Sequence, residues 1–259
     1  MLAQRVLAAI LGIPLILYLT YLGGYFYFGL VALITLAGLR EFLVMAGGRE
    51  FLLPNPVPLA AGLALAAIQF QAPGYFPAAL FGFFLLFSLF VVLFYPRFTP
   101  WELMTTLWGI MYIAGCLSFL LPLRALENGF VLTLFLFAGI WANDSGAYFV
   151  GRAWGKHKLA PRVSPNKTVE GAVGGILCTL AVLSLLAALL PMNFVQAGAA
   201  ALVLSLAGYA GDLVVSALKR HFRLKDTGTM IPGHGGFLDR FDSLIFAAPL
   251  FYFMLVTFF

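Results

Sequence analysis

Three aspartates, Asp144, Asp212 and Asp239, stand beside cations, serines and glycines in the second half of the chain. At 3.6 residues per turn, Ser205, Gly208, Asp212, Ser216 and Lys219 fall on one stripe of a helix whose other faces are apolar. Small residues on such a stripe suit helix packing, but a carboxylate and an ammonium at its end do not. The segment that follows holds Lys219-Arg220, Lys225-Asp226, Pro232-Gly233-His234-Gly235-Gly236 and Asp239-Arg240-Phe241-Asp242. Cations interspersed with carboxylates are what a metal-bound polyphosphate requires. Mg2+ takes one or two carboxylates together with phosphate oxygens, and cations neutralise charge developing on a leaving group. Glycines let backbone N–H groups approach an anion closely.

The elements that must position these groups are helices. Asp144 interrupts the apolar run Gly139–Gly146, about two turns before the expected end of its helix, where an ionisable group faces a bundle interior or a wet cavity. A structural ion pair is the alternative for it. Ser164-Pro165 reads as an N-cap and first helical residue, after which Lys167, Glu170, Gly171, Gly174 and Cys178 share a face. The positive end of that helix suits a phosphate, and Gly171 and Gly175 form a GxxxG pair. Elsewhere Arg40-Glu41, Arg49-Glu50, Glu102 and Glu127 read as loop-edge charges, and Trp101 and Trp108 as interfacial anchors. Cys116 and Cys178 read as small buried hydrophobes.

Of 259 residues, 63% are hydrophobic and 10% charged, against roughly 25% charged in soluble domains. Only a bilayer makes sense of that surface. The class is therefore all-α, a polytopic transmembrane helical bundle. Nine spans are expected, near 6–22, 24–39, 56–71, 76–95, 104–122, 129–150, 168–190, 194–217 and 241–258. The third is crowded at its start by Pro54, Pro56 and Pro58. Residues 1–128 supply about five spans as a scaffold, and residues 129–259 about four spans with two basic loops, within one integral membrane unit. With the N-terminus in the cytosol, Arg124 is the only basic residue left outside. The net charge of +5 thus reports topology, and no nucleic-acid binding is expected. No convincing cleavage site follows the first apolar run, so it is expected to remain as a span.

The run from Ser216 through Lys219-Arg220, Lys225-Asp226, Gly228, Ile231-Pro232-Gly-His234-Gly235-Gly236-Phe237 to Asp239-Arg240-Phe241-Asp242 resembles the signature of the phosphatidate cytidylyltransferase (CDP-diacylglycerol synthase) family. A second block, Asp144 through Tyr148, Gly155–Pro161 and Ser164-Pro-Asn166-Lys167 to Glu170-Gly171, is similar to the family too. The two cover somewhat less than the C-terminal half, and the first half matches in hydropathy alone. Val215 stands where many members have Glu, and Asn166 where many have Gly. The resemblance implies that CTP and phosphatidic acid react to CDP-diacylglycerol and pyrophosphate, with Mg2+ as cofactor. It implies Asp212 and Asp239 as metal carboxylates, Asp144 and Asp242 as weaker metal candidates, and Lys219 beside the reacting groups. Ser164, Asn166, Lys167, Ser216, Arg220, Lys225, His234, Gly235, Gly236 and Arg240 would then bind substrate. A bacterial inner membrane and a cytosolic active site follow from the same likeness, as does a homodimer, on analogy alone.

Two other classes compete. An ion-coupled transporter would use Asp144, Glu170 and Asp212 as an ion path, but it predicts polar groups on both faces, and the outer loops are nearly bare of charge. A CTP-dependent lipid kinase or a cytidylyltransferase for ether-linked archaeal lipids would share much of the site.

Overall fold

The computed structural model describes residues 2–47, 56–190, 192–228 and 235–258, with side chains from residue 10 onward. Among the described residues, ten α-helices run α1 (Leu2–Leu22), α2 (Gly24–Gly47), α3 (Pro56–Gln71), α4 (Phe76–Phe94), α5 (Pro100–Gly109), α6 (Leu120–Ala125), α7 (Gly129–Trp154), α8 (Val169–Leu186), α9 (Phe194–His221) and α10 (Leu238–Phe258). A π-helical turn, Ile110–Gly115, continues α5 toward α6. Between α7 and α8 lies an antiparallel hairpin of β1 (Lys158–Ala160) and β2 (Ser164–Thr168), with Lys158 opposite Thr168.

Among the described residues, seven helical stretches are long and apolar enough to cross a membrane, and Ile10–Leu22 and Pro56–Gln71 are apolar but shorter. The protein is a polytopic, helical integral membrane protein. α4 makes the solvent plain: Phe81, Leu86 and Val92 are 63%, 61% and 74% exposed, a surface that only lipid covers at low cost.

Several expected boundaries move. α2 runs past Leu39 to Gly47 and carries Arg40 and Glu41 within it, because Glu41 is buried and hydrogen-bonded rather than sitting at a loop edge. Ser164 is not an N-cap: Ser164–Thr168 is a strand, and Thr168 caps α8 by accepting from Gly171 N at 3.1 Å. Lys167 accordingly precedes the helix instead of sharing its face. α10 begins at Leu238, so Asp239 and Arg240 lie in its first turn rather than in a loop. Pro56 and Pro58 sit in the first turn of α3, where a missing N–H is tolerated.

By internal contact the chain forms two compact units, Met1–Pro122 with Leu224–Phe241, and Leu123–Arg223 with Asp242–Phe259. In the first, α2, α3 and the π-turn pack through fully buried Leu39, Phe42, Leu65 and Ile113, with Gly109 seated against the Phe42 ring. In the second, α7 and α8 approach through glycines. A Cβ on Gly146 would lie 2.6 Å from Cys178 Cβ and 2.8 Å from the Gly174 carbonyl. That is the close backbone approach that small residues permit between membrane helices. Phe135 and Phe251 stack at 6.0 Å to join α7 and α10.

Candidate functional site

The second unit holds a cavity of about 470 Å3 between α7, β2, α8 and α9. Asp144, Tyr148 and Arg152 reach it from α7, Asn166 and Lys167 from β2, and Tyr209 and Asp212 from α9. Lys167 Nζ lies 2.6 Å from Asp212 Oδ2, and their side chains are 19% and 32% exposed. Ser216, one turn on, donates to Asp212 Oδ1 at 3.1 Å. Beyond this ion pair the buried Lys167 ammonium has no hydrogen-bond partner in the described protein. It stands 5.4 Å from the Tyr209 ring centroid, within range of a cation–π attraction. An ammonium carries three donors, so Lys167 can take an anionic oxygen in addition to Asp212.

The hairpin that presents Lys167 is fixed at its base. Glu170 accepts from the backbone N–H groups of Lys156 (3.1 Å) and His157 (3.2 Å) and meets His157 Nδ1 at 2.6 Å. Arg220, near the end of α9, donates from Nε to the Val163 carbonyl at 3.3 Å. The Tyr209 hydroxyl donates to the Ala172 carbonyl at 3.3 Å, tying α9 to the start of α8. Arg152 donates to the Tyr148 hydroxyl at 3.0 Å. The cavity thus holds two carboxylates and two cations, on elements braced against one another.

Asp239 belongs to the first unit. Its Oδ2 accepts from Thr227 N (2.8 Å), Thr227 Oγ1 (3.0 Å) and Gly236 N (3.2 Å). Gly235 has φ +83°, a left-handed conformation that glycine adopts without steric cost, and a Cβ there would lie 3.0 Å from Asp239 Oδ2. Glu41 accepts from Phe237 N, Leu238 N and Thr227 Oγ1 at 2.9, 2.9 and 3.1 Å.

A family model described as "Cytidylyltransferase family" matches residues 3–258. The chain belongs to the cytidylyltransferase family. It is 38% identical to the phosphatidate cytidylyltransferase of Bacillus subtilis (strain 168), over 98% of each chain. It is 36% identical to the phosphatidate cytidylyltransferase of Staphylococcus epidermidis (strain ATCC 35984), over 97% of this chain and 98% of that one. To the protein of the same name in Staphylococcus saprophyticus it is 43% identical, over 67% and 66% of the two chains.

Within this cytidylyltransferase-family chain the expected residues divide. Asp144, Asn166, Lys167 and Asp212 come together on the cavity, with Ser216 bonded to Asp212. Ser164 lies in β2, Arg220 binds the hairpin backbone, and Lys219 sits half-buried one turn beyond Val215 on α9. Asp242, buried in α10, accepts from Ser243 N at 2.7 Å and does not line the cavity. Gly236 donates to Asp239 and Gly235 packs beside that carboxylate, while Lys225 and Arg240 are exposed. His234 lies outside the described residues. Sequence reasoning missed Tyr148, Arg152, Tyr209 and Glu41. The first two follow Asp144 by four and eight residues, so carrying its helical face one and two turns further would have found them. Tyr209 stands three before Asp212 for the same reason. Glu41 left no such signal, because its partners are 186 to 197 residues away.

Proposed function

We propose that this chain is a phosphatidate cytidylyltransferase, transferring CMP from CTP to phosphatidic acid with release of pyrophosphate. One observation carries the reading: a buried ammonium with donors to spare, paired with a carboxylate at 2.6 Å, on a cavity that also holds Asp144 and Arg152. The named relatives supply the substrates.

A phosphatidate oxygen attacks the α-phosphorus of CTP, the bond to the bridging oxygen of the β-phosphate breaks, and pyrophosphate departs with that electron pair. The attacking phosphate is already an anion, so the protein's part is positioning and neutralisation rather than proton removal. Lys167 and Arg152 would hold phosphate oxygens, and the Tyr148–Arg152 bond would fix the guanidinium. Among the described residues no group of three or more His, Cys, Asp or Glu could by itself hold a metal ion. Asp144 and Asp212 on one cavity fit Mg2+ nevertheless, since that ion takes one or two carboxylates and completes its shell with phosphate oxygens and water. The family resemblance names Asp212 and Asp239 as carboxylates for the ion, with Asp144 and Asp242 as weaker candidates. When bound, the ion neutralises charge on the triphosphate.

The topology proposed with this function is nine crossings with the N-terminus in the cytosol of a bacterial cell, the site opening to the cytosol and the protein in the inner membrane as a homodimer. The one-sided distribution of Lys and Arg supports the orientation. The dimer is supported by analogy alone. Purified protein given CTP, phosphatidate and Mg2+ should release pyrophosphate and form a CDP-lipid in equal amounts. Turnover of CTP without a lipid product would refute the reading.

A further inference from the structure

We propose that Glu41 is a positioning residue: it clamps Thr227 to the start of α10 and thereby sets the direction of the Asp239 carboxylate. The inference rests on the reading of Asp239 as a metal-site carboxylate. Glu41 is 4% exposed in α2, and every group it holds belongs to the same compact unit. Phe237 N donates to Oε1 at 2.9 Å, while Leu238 N and Thr227 Oγ1 donate to Oε2 at 2.9 and 3.1 Å. The two backbone donors stand at the start of α10, among those that a helix cannot satisfy internally. A carboxylate from a distant helix therefore does the work of an N-cap, and it favours the positive end of α10 as well.

Gly228 and Gly236 are explained by that carboxylate. A Cβ on Gly228 would lie 2.6 Å from Glu41 Oε1, and one on Gly236 would collide with Glu41 Oε2 and Thr227 Oγ1. Thr227 carries the coupling. Its hydroxyl lies 3.1 Å from Glu41 Oε2 and 3.0 Å from Asp239 Oδ2, and its N–H binds the same Asp239 oxygen at 2.8 Å. One hydroxyl proton serves one carboxylate at a time. With the N–H donating to Asp239 and the hydroxyl to Glu41, the two carboxylates hold a single threonine from two sides, and α10's first turn carries Asp239 wherever Glu41 sets it. Groups that orient a metal carboxylate typically change metal affinity about 10–100-fold when altered.

The test uses the full-length protein in detergent. Glu41→Gln keeps the size of the side chain but turns one oxygen into an amide NH2 that faces donors. Hydrogen exchange at the Thr227, Phe237 and Leu238 amides reads the clamp, and Mn2+ affinity by electron paramagnetic resonance reads Asp239 without turnover. Exchange should quicken at least about tenfold at these amides. Mn2+ affinity should fall about tenfold, with the Mg2+ needed for half-maximal activity rising in step. Unchanged exchange overturns the clamp. Faster exchange with unchanged Mn2+ affinity leaves Glu41 merely structural and overturns the positioning role. A wild-type protein that binds Mn2+ but makes no CDP-lipid refutes the proposed reaction, and the exchange and Mn2+ measurements still decide Glu41. A wild-type protein that binds no Mn2+ refutes the metal reading of Asp239 and this proposal with it.

Discussion

Lys167 and Asp212 meet at 2.6 Å, the ammonium arriving from the strand before α8 and the carboxylate from the length of α9. Neither helix could supply both groups. The pairing exists because a five-residue strand returns along a three-residue one and sets Lys167 at the cavity just before Thr168 starts α8.

A double-mutant cycle on that pair separates a shared role from two independent ones. Lys167→Ala and Asp212→Asn should each lower kcat/KM for CTP-dependent pyrophosphate release by about 100-fold or more. Groups in direct contact are not additive, so the double variant should fall within about threefold of the worse single one. Multiplying losses would mean that the two side chains act on different steps, contrary to a joint phosphate and metal site.

Arg152 tests a residue that charge counting had assigned to topology. It lines the cavity, and its guanidinium donates to the Tyr148 hydroxyl. Binding that is equal in ground and transition states changes KM alone. Arg152→Ala should raise KM for CTP about tenfold and leave kcat within about threefold. Tyr148→Phe removes the acceptor but not the cation, and its effect should be smaller. A loss confined to kcat would make Arg152 a group that engages only in the transition state.

What the sequence disclosed, and what it hid, follows from the range of each signal. Hydropathy located the long helices because burial in lipid demands runs of apolar residues, and it marked Asp144 and Asp212 because charges there are conspicuous. It ends α2 at residue 39 since Arg40-Glu41 looks like a loop edge; the distant N–H groups of Phe237 and Leu238 and the Thr227 hydroxyl make a buried Glu41 tolerable. Ser164-Pro165 carries a good cap signature locally, yet the pairing of Lys158 with Thr168 draws that stretch into a strand and passes the cap to Thr168. The same limit applies to α10, whose first turn reads as loop because Asp239, Arg240 and Asp242 are polar.

Thr168 is consequently a point where local stability and site geometry meet. Loss of an N-cap side chain costs about 1 kcal/mol. Thr168→Ala should cost about that much in denaturant or thermal unfolding, and Thr168→Ser, which keeps the acceptor, should recover most of it. Lys167 is the preceding residue, so Thr168→Ala should also lower kcat/KM by about tenfold, more than a stability change of that size produces in a folded population. An activity equal to wild type alongside the expected destabilisation would show that Lys167 is placed by the hairpin without help from the cap.

Packing makes two glycines respond oppositely to one substitution. Gly146 faces α8, and an added Cβ would meet Cys178 Cβ at 2.6 Å, the Gly174 carbonyl at 2.8 Å and Gly175 Cα at 3.2 Å. Two of those are backbone atoms, which cannot rotate aside, so α7 and α8 must separate. Overpacking of this kind costs about 1–3 kcal/mol, and at roughly 2–4 °C per kcal/mol for a chain of this size Gly146→Ala should lower Tm by several degrees. The cavity lies between the same two helices, with Gly151 and Gly171 on its wall, and activity should drop with stability. Gly82, in α4, has nothing within 4 Å of such a Cβ. There the alanine meets only lipid and gains the helix propensity that glycine lacks, up to about 1 kcal/mol. Gly82→Ala should therefore hold or raise Tm and leave turnover unchanged. A Gly146→Ala protein as stable as Gly82→Ala would mean that α7 and α8 do not rely on the glycine contact to close around the site.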